Sequence, residues 1–294
     1  MNSPVILIAN PVAKRASEQK IQKAVSLLRS AGYEVRVYLT QKRGDAEERA
    51  REAAGDSAPL VIAAGGDGTM NEVINGIANS GTAMAIVPLG TTNVLAKELG
   101  VPEDVAGATE LVLRGKVNSV SLGRVSCVFH SSAVSRYFCL MAGIGFDGEA
   151  VYGVSGSLKR HSGKGAYIFS GLKTLITYSP VDLKFTISGT IYTGYFAIVG
   201  KASKYGGNFK ITPDAKLHDP HLHIVIMHGK RRRDILRYLY GIFRGRHLQL
   251  NDITSLKGES VRIEGIARIQ VDGDYLGTTP ATITVVPDAL KLIY

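Results

Sequence analysis

The sequence predicts an α/β protein in two parts, a parallel-sheet domain over residues 1–122 and an antiparallel β-sandwich domain over residues 123–281, with residues 282–294 packing back onto the first. Three observations predict this. Strand-like and helix-like patterns alternate through the first 125 residues, which with right-handed crossovers makes a parallel sheet. From about residue 117 the apolar period changes to two and helices become rare, the pattern of antiparallel strands. Between these signals, residues 61–72 read as a buried strand that runs through a glycine turn straight into a helix.

Residues 4–9 are a continuous apolar run ended by Asn10-Pro11, as in a strand covered on both faces. Ile21, Ala24, Val25 and Leu28 recur at helical spacing, and Gly32 stands where a left-handed C-terminal cap belongs. Residues 34–40 alternate, with Val35, Val37 and Leu39 on one face, so a strand is expected. A charged, alanine-rich helix over 45–54 precedes the strand that enters the glycine turn. The strand at 83–87 leads through Pro88-Leu89-Gly90-Thr91-Thr92-Asn93 into a helix ending at Leu99, and Pro102 starts the next helix, where its missing N–H costs nothing. In the second half, strands are expected at 117–122, 125–129, 134–141, 183–188, 192–199, 221–227, 261–263 and 266–271, with Ser188-Gly189 as a hairpin turn. Helices are expected only within 163–178 and over 234–243.

With 294 residues, 45% hydrophobic and 20% charged, the composition is that of a soluble globular protein. No apolar run approaches the roughly 18 residues of a membrane span. The N-terminal apolar run is too short for a signal peptide and lacks a basic leader. Cys127 and Cys139, the only cysteines, imply no disulfide framework and fit a reduced, cytoplasmic compartment. Charge is uneven. Residues 1–124 hold 14 Lys and Arg against 13 Asp and Glu, and residues 125–294 hold 21 against 12, so nearly all of the net +10 lies in the second half. That half is expected to face something negative: a membrane, a nucleic acid or an acidic substrate.

Gly65-Gly66-Asp67-Gly68-Thr69 carries the clearest chemistry. Glycines let a ligand touch the backbone, and successive N–H groups at a helix start form an anion site. An acid inside an anion site repels phosphate unless a divalent cation lies between, so Asp67 indicates a Mg-bound nucleotide. The plainer reading is a tight turn in which Asp67 caps the helix. Thr40, Gly65 to Thr69 and Gly90 to Asn93 all fall at carboxyl ends of predicted parallel strands, where such sheets bind ligands.

These residues, together with Asn71-Glu72, Gly143-Ile144-Gly145-Phe146-Asp147, Tyr205-Gly206-Gly207, Pro213-Asp214-Ala215 with Asp219, and Val271-Asp272-Gly273-Asp274, resemble the motifs of the diacylglycerol kinase catalytic-domain family, in the family's order and over almost the whole chain. The glycine turn alone is shared with NAD kinases. The resemblance implies a phosphofructokinase-like first domain, a β-rich second domain, and transfer of the ATP γ-phosphate to a hydroxyl of a membrane lipid. By position, Gly66, Asp67, Gly68, Thr69, Met70, Asn71 and Glu72, with Gly65, Thr40 and Thr91, would hold the nucleotide. Asp272 would be the general base, for which the plainer reading is an Asp-Gly hairpin turn. Asp147 and Asp274 would belong to the phosphate and metal network, Asp147 being otherwise a turn residue between two strands. The resemblance also implies a structural cation held by the Asp219 carboxylate and the main-chain carbonyls of Lys216 and His221, in addition to catalytic Mg2+. The chain departs from the family pattern at Val94, where an Asp is usual, at Asp274, where Glu is usual, and at Pro220-His221. The lipid could be diacylglycerol-like, a sphingoid base, a ceramide or phosphatidylglycerol. The rival readings are an NAD kinase-like enzyme and an inactive peripheral lipid-binding protein.

Lys230-Arg231-Arg232-Arg233, with Arg237, Arg244, Arg246 and His247, surrounds the helix whose Ile235, Leu236, Leu239, Ile242 and Phe243 form an apolar stripe. The stripe is assigned to the core and the arginines to the anionic inner face of the membrane, with which the protein would associate peripherally. A second candidate contact is the glycine-rich 153–165 segment with Lys159, Arg160 and Lys164. No aromatic–basic interleaving points to nucleic acid. His218, His221, His223 and His228 invite zinc, but tetrahedral sites pair ligands more tightly, and His221 and His223 fit a solvent-facing strand side. A sheet edge in either domain could pair two copies as a homodimer.

Overall fold

Alternation and burial explain the first layer. In the computed structural model, which describes residues 4–153, 174–175 and 177–294, four strands lie parallel in the order β2-β1-β3-β4: β1 (Val5–Ala9), β2 (Val35–Leu39), β3 (Leu60–Gly65) and β4 (Ala83–Pro88). Helices cover both faces, so β1, β3 and β4 are buried at every residue. Val5, Leu7 and Ala9, with Leu60, Ile62 and Ala64, pack against α1 (Glu18–Ser30) and α5 (Val105–Arg114). The opposite face meets α2 (Asp45–Gly55) and α3 (Asp67–Ile77). Gly76 lets these two helices touch, since a Cβ there would lie 2.6 Å from the Ala50 methyl. Truncating the fully buried Leu28 to Ala is expected to cost about 2–5 kcal/mol.

Local signals placed the boundaries well where they acted alone. Ser17 accepts the Lys20 N–H at the start of α1, and Gly32 at φ +90° ends it, with Gly32 donating to Arg29 and Tyr33 to Leu28, the paired bonds of a Schellman cap. Two expectations need correction. Of the face predicted for β2, only Val35 is buried, while Leu39 is 55% exposed; β2 is the edge strand, with one neighbour. The fifth helix begins at Val105 rather than Pro102, because Asp104 caps it through the Gly107 N–H at 2.8 Å.

The chain divides into two compact units, one comprising residues up to Leu122 with Pro287–Tyr294, the other Gly123–Val286. Within the second unit, β7 (Met141–Ile144), β10 (Phe196–Gly200), β13 (Leu222–Met227), β14 (Ile253–Gly258) and β16 (Arg268–Val271) form an antiparallel sheet. β8 (Leu183–Ile187), β9 (Thr190–Gly194), β15 (Ser260–Glu264) and the middle of β17 (Asp274–Ile293) form another set. β5 (Val117–Phe129), which enters from the first unit, pairs with β6 (Ser132–Phe138). A two-stranded hairpin joins β11 (Lys204–Tyr205) to β12 (Phe209–Lys210). Alternate residues such as Ile144, Val199, Ile224, Phe185 and Ile263 share one core, the interior of a β-sandwich.

The second face of β10 and β13 is covered too. Phe196, Ile198, Val225 and Met227 pack against Ile235 and Tyr238 of the helix Arg232–Phe243, which explains two strands without a polar face. Ser188 and Gly189, both at positive φ, form the expected hairpin turn between β8 and β9.

Several strand boundaries differ from the sequence pattern. The run expected at 134–141 breaks after Phe138, since the Asp272 carboxylate takes the next three N–H groups. The run expected at 192–199 is two strands, because the chain turns at Gly194–Tyr195 from pairing with β8 to pairing with β13 and β7. Most of the helix expected within 163–178 and most of the 153–165 segment lie outside the described residues, while residues 174, 175 and 177 are helical.

Candidate functional site

In the order β2-β1-β3-β4, the first crossover runs from β1 out to β2 and the next returns past β1 to β3, so the carboxyl ends of β1 and β3 flank the switch point where such sheets bind ligands. Here the sequence-predicted glycine turn is found. Asn10, just beyond β1, donates its N–H to the Ala64 carbonyl at 2.9 Å, and its amide reaches the Thr69 hydroxyl at 3.4 Å. Asn10 was not among the predicted site residues. Its signal was its place at a strand end.

The three glycines of the turn have different reasons. A Cβ on Gly65 would lie 2.5 Å from the Thr69 hydroxyl oxygen, and one on Gly66 would lie 3.2 Å from the Cα of Gly90. Gly90 in turn would clash with the Gly66 Cα at 2.5 Å, so the loops after β3 and β4 touch backbone to backbone. Asn93, fully buried, holds the second loop by accepting the Gly90 N–H at 3.0 Å and donating to its carbonyl at 3.1 Å. Gly68 is exposed and has no positive φ, and a Cβ on it would meet nothing within 4 Å. Packing within the chain does not account for a glycine there.

Asp67 opens α3 but does not cap it. Its Oδ1 accepts the Leu95 N–H at 3.2 Å, in the first turn of α4 (Val94–Leu99). Burial pushes the Asp67 carboxyl up from its ordinary value, against the pull of the Leu95, Val94 and Asn93 N–H groups and the Lys97 charge. The N-cap of α3, Gly66, offers no side chain to the helix's first N–H groups. Thr40 follows β2 and donates its N–H to Ala9 at 2.9 Å, and Thr91 stands half-buried in the loop after β4. Three other predicted residues lie further along α3. Met70 is in the core at 1% exposure, Asn71 is buried, and Glu72 accepts the Ala46 N–H at 3.2 Å at the start of α2. Val94, where the family pattern has an acid, is a buried apolar residue.

In the second unit, Asp272 and Gly273, at φ +48° and +87°, form the two-residue turn that pairs Val271 with Asp274. The plainer hairpin reading is therefore correct for the backbone. The side chain does more. Oδ1 accepts N–H groups from Leu140 at 3.0 Å and Met141 at 2.9 Å, Oδ2 accepts that of Cys139 at 3.0 Å, and the Asp272 N–H returns to the Met141 carbonyl at 3.0 Å. Asp274 is half-buried at the start of β17.

Asp147 is not a turn residue between strands but stands in the first turn of α6 (Phe146–Tyr152). Its carboxylate accepts the Tyr205 hydroxyl and, at 2.6 Å, the Gln270 amide, whose oxygen accepts the Gly273 N–H at 2.8 Å. A Cβ on Gly143 would lie 1.9 Å from Asp147 Oδ2, so that glycine makes room for the carboxylate. Burial pushes the Asp147 carboxyl up, although both hydrogen bonds oppose it. Gln270 thus ties Asp147 to the Asp272 turn, while Tyr205 holds Asp147 from the β11–β12 hairpin. Tyr205 was named only as part of a motif and Gln270 not at all, because the contacts join distant segments.

The third predicted group lies before β13. Asp219 accepts the His221 N–H at 3.1 Å and lies 2.8 Å from His221 Nδ1, 3.2 Å from His223 Nε2 and 3.4 Å from Lys257 Nζ. Burial pushes its carboxyl up, but these partners outweigh it and hold it well below the usual carboxylate range. His223 is 7% exposed, so it lies buried against Asp219 rather than on a solvent-facing side, whereas the His221 side chain, also against Asp219, is 42% exposed. Burial holds His223 below its ordinary value. Lys216 contributes its carbonyl to the Asp219 N–H at 2.9 Å. Among the described residues no group of three or more His, Cys, Asp or Glu side chains could hold a metal ion.

The basic helix, α7 (Arg232–Phe243), corrects another expectation. Ile235 and Tyr238 are buried, but Leu236, Leu239, Tyr240 and Phe243 are 46–70% exposed. The stripe assigned to the core therefore splits, and three of its five residues, Leu236, Leu239 and Phe243, face solvent. Among the described residues no helix is long and apolar enough to cross a membrane.

Comparison with known proteins agrees with this arrangement. Residues 4–125 match the family described as diacylglycerol kinase catalytic domain, and residues 141–294 match the YegS C-terminal NAD kinase beta sandwich-like domain. The diacylglycerol kinase of Staphylococcus aureus strain bovine RF122 / ET3-1 is 30% identical over 282 residues, covering 94% of this chain and 87% of that one, and the protein of strain Newman matches equally. A Bacillus anthracis strain Sterne protein, provisionally named a diacylglycerol kinase, superimposes with a TM-score of 0.82 at 27% identity, over 99% of this chain and 95% of that chain. The structure of yeast NADH kinase with NADH shares the fold, at a TM-score of 0.58, 12% identity, and coverage of 100% of this chain and 84% of that one.

Proposed function

The chain belongs to the diacylglycerol kinase family of lipid kinases, and from that premise we propose that it transfers the γ-phosphate of Mg·ATP to a hydroxyl of a membrane lipid of the diacylglycerol or sphingoid type. The observation that carries the nucleotide half is Gly68, a glycine with neither a close neighbour nor a positive φ, at the start of a helix whose first N–H groups receive no side-chain cap. A phosphate group against those N–H groups accounts for both. Asp67 fits the metal of Mg·ATP, since a carboxyl pushed up by burial is relieved by a cation. Gly65, Gly66, Gly68 and Thr69 would hold phosphates, with Asn10, Thr40 and Thr91 at the neighbouring strand ends. Bound Mg2+ supplies neutralisation of charge on the transferring phosphoryl group.

Asp272 is the group assigned to the hydroxyl proton. Three main-chain donors fix its carboxylate, and phosphoryl transfer depends mainly on such positioning. Asp147, through Gln270, steadies the same turn from behind.

A lipid substrate requires the protein to meet a bilayer. The exposed Leu236, Leu239, Tyr240 and Phe243 of α7 lie beside Arg231, Arg233, Arg244 and Arg246, all exposed. Apolar insertion next to arginines suits an anionic bilayer surface, where each basic residue contributes about 1 kcal/mol. Leu236→Asp with Phe243→Asp is expected to abolish sedimentation with phosphatidylglycerol vesicles while leaving thermal unfolding unchanged. Unaltered vesicle binding by that variant contradicts the assignment of α7.

The function itself is tested by radiolabelled phosphate transfer from Mg·ATP into diacylglycerol, monoacylglycerol, phosphatidylglycerol, sphingosine and ceramide in anionic mixed micelles. Label is expected in one lipid class. Label in none, with NADP formed from NAD instead, overturns the proposal in favour of an NAD kinase.

A further inference from the structure

Lys201 is a charged side chain at 0% exposure, directly after β10. Its Nζ donates to the main-chain carbonyl of Asp219 and, at 3.1 Å, to that of His221. These two carbonyls bracket Pro220, which has no N–H with which to answer them.

The groups that the family resemblance assigns to a structural cation are thus engaged by the chain itself. The His221 carbonyl accepts from Lys201. The Lys216 carbonyl accepts the Asp219 N–H. The Asp219 carboxylate is shared among His221, His223 and Lys257. An ammonium and a divalent ion on the same carbonyl oxygen would repel at close range in a buried setting. The donor set present here does not fit a metal ion.

We propose that the Lys201 ammonium is this chain's own structural cation, holding the Asp219–His221 turn where a bound metal would otherwise be required. The inference is independent of which lipid is phosphorylated. It also gives Lys201 a positioning part near the Asp272 turn. The Lys201 N–H donates to the Leu140 carbonyl at 2.8 Å, and the N–H of that same Leu140 holds Asp272 Oδ1. One residue therefore carries the main chain from the internal cation to the clamp on Asp272, and metal dependence is left to the ion that accompanies ATP.

The test uses the full chain without nucleotide. Thermal unfolding of the wild type is expected to be the same in EDTA and in millimolar MgCl2, with no ion binding by calorimetric titration. Lys201→Ala should unfold roughly 5 °C or more lower in EDTA. Added Mg2+ or Ca2+ should restore part of that loss, and Lys201→Ala with Asp219→Asn should not be rescued. If Lys201→Ala does not fold, the wild-type titration decides alone: indifference to metal supports the proposal. One equivalent of Mg2+ bound by the wild type and lost in Asp219→Asn overturns it, as does Lys201→Ala as stable as the wild type in EDTA.

Discussion

Two Asp-Gly pairs, Asp67-Gly68 and Asp272-Gly273, stand in opposite settings. Asp67 begins a helix, and burial pushes its carboxyl up. Asp272 sits in a two-residue hairpin turn, and three main-chain N–H groups grip its carboxylate. The first is a charge whose burial outweighs its partners, which on the proposed reading suits a ligand that brings a cation. The second is a charge the fold itself consumes, suited to holding one position. On the proposed reading an identical dipeptide serves binding in one unit and positioning in the other, and stability should respond to their loss with opposite sign.

The largest effect is expected at Asp272. Removing a general base lowers turnover about 10²–10⁴-fold, and Asp272→Ala also orphans three N–H groups, costing roughly 2–5 kcal/mol. Asp272→Asn turns an amide N–H2 toward donors, so it too should unfold earlier. Activity lost in either variant therefore counts as chemistry only when measured well below its own unfolding temperature. A variant as stable as the wild type would break the contrast.

Asp67→Asn should do the reverse. Without nucleotide it should be as stable as the wild type or more so, by about 1 kcal/mol, while Mg·ATP binding weakens at least about tenfold. The pH dependence follows from the same cause. The raised carboxyl of Asp67 takes up a proton in the folded chain before it does in the unfolded chain, so wild-type stability gains as pH falls through the folded pKa toward about 4. Asp67→Asn lacks that gain. The difference in unfolding free energy between the two should therefore shrink on acidification, and a constant difference across that window would contradict the assignment.

Glycine substitutions sharpen the contrast further. Gly90→Ala must push the Gly66 Cα away and should cost about 1–3 kcal/mol. Gly68→Ala meets nothing and lies in a helix, so the chain should gain about 0.5–1 kcal/mol and still lose affinity for Mg·ATP. Unchanged nucleotide affinity in Gly68→Ala would show that phosphate binding is not what requires the glycine.

Legibility in the sequence followed the range of the interactions. The β3–turn–α3 unit and the Schellman cap at Gly32 depend on neighbouring residues, and both were readable. So was the convergence of Thr40, the glycine turn and Thr91 on strand ends, because a parallel sheet dictates it. The open face of β2 was not readable, since alternation marks a face without saying whether anything covers it. The 20-residue β17 was hidden by Gly277 and Pro280, which interrupt the pattern though not the strand. Gln270 and Lys201 escaped for a common reason. Each is explained by partners 18 to 123 positions away, and nothing local distinguishes a buried Lys at a strand end from an exposed one. On α7 the apolar spacing was visible, but which half faced the sheet depended on β10 and β13.

Calorimetric titration of Mg·ATP into wild type, Asp67→Asn and Asp272→Asn, followed by phosphate transfer into lipid on the same samples, tests the division between the two turns most directly. Asp67→Asn is expected to lose nucleotide affinity. Asp272→Asn, kept below its unfolding temperature, is expected to bind nucleotide like the wild type and transfer no phosphate. Wild-type affinity in Asp67→Asn, or wild-type transfer in Asp272→Asn, would contradict that division.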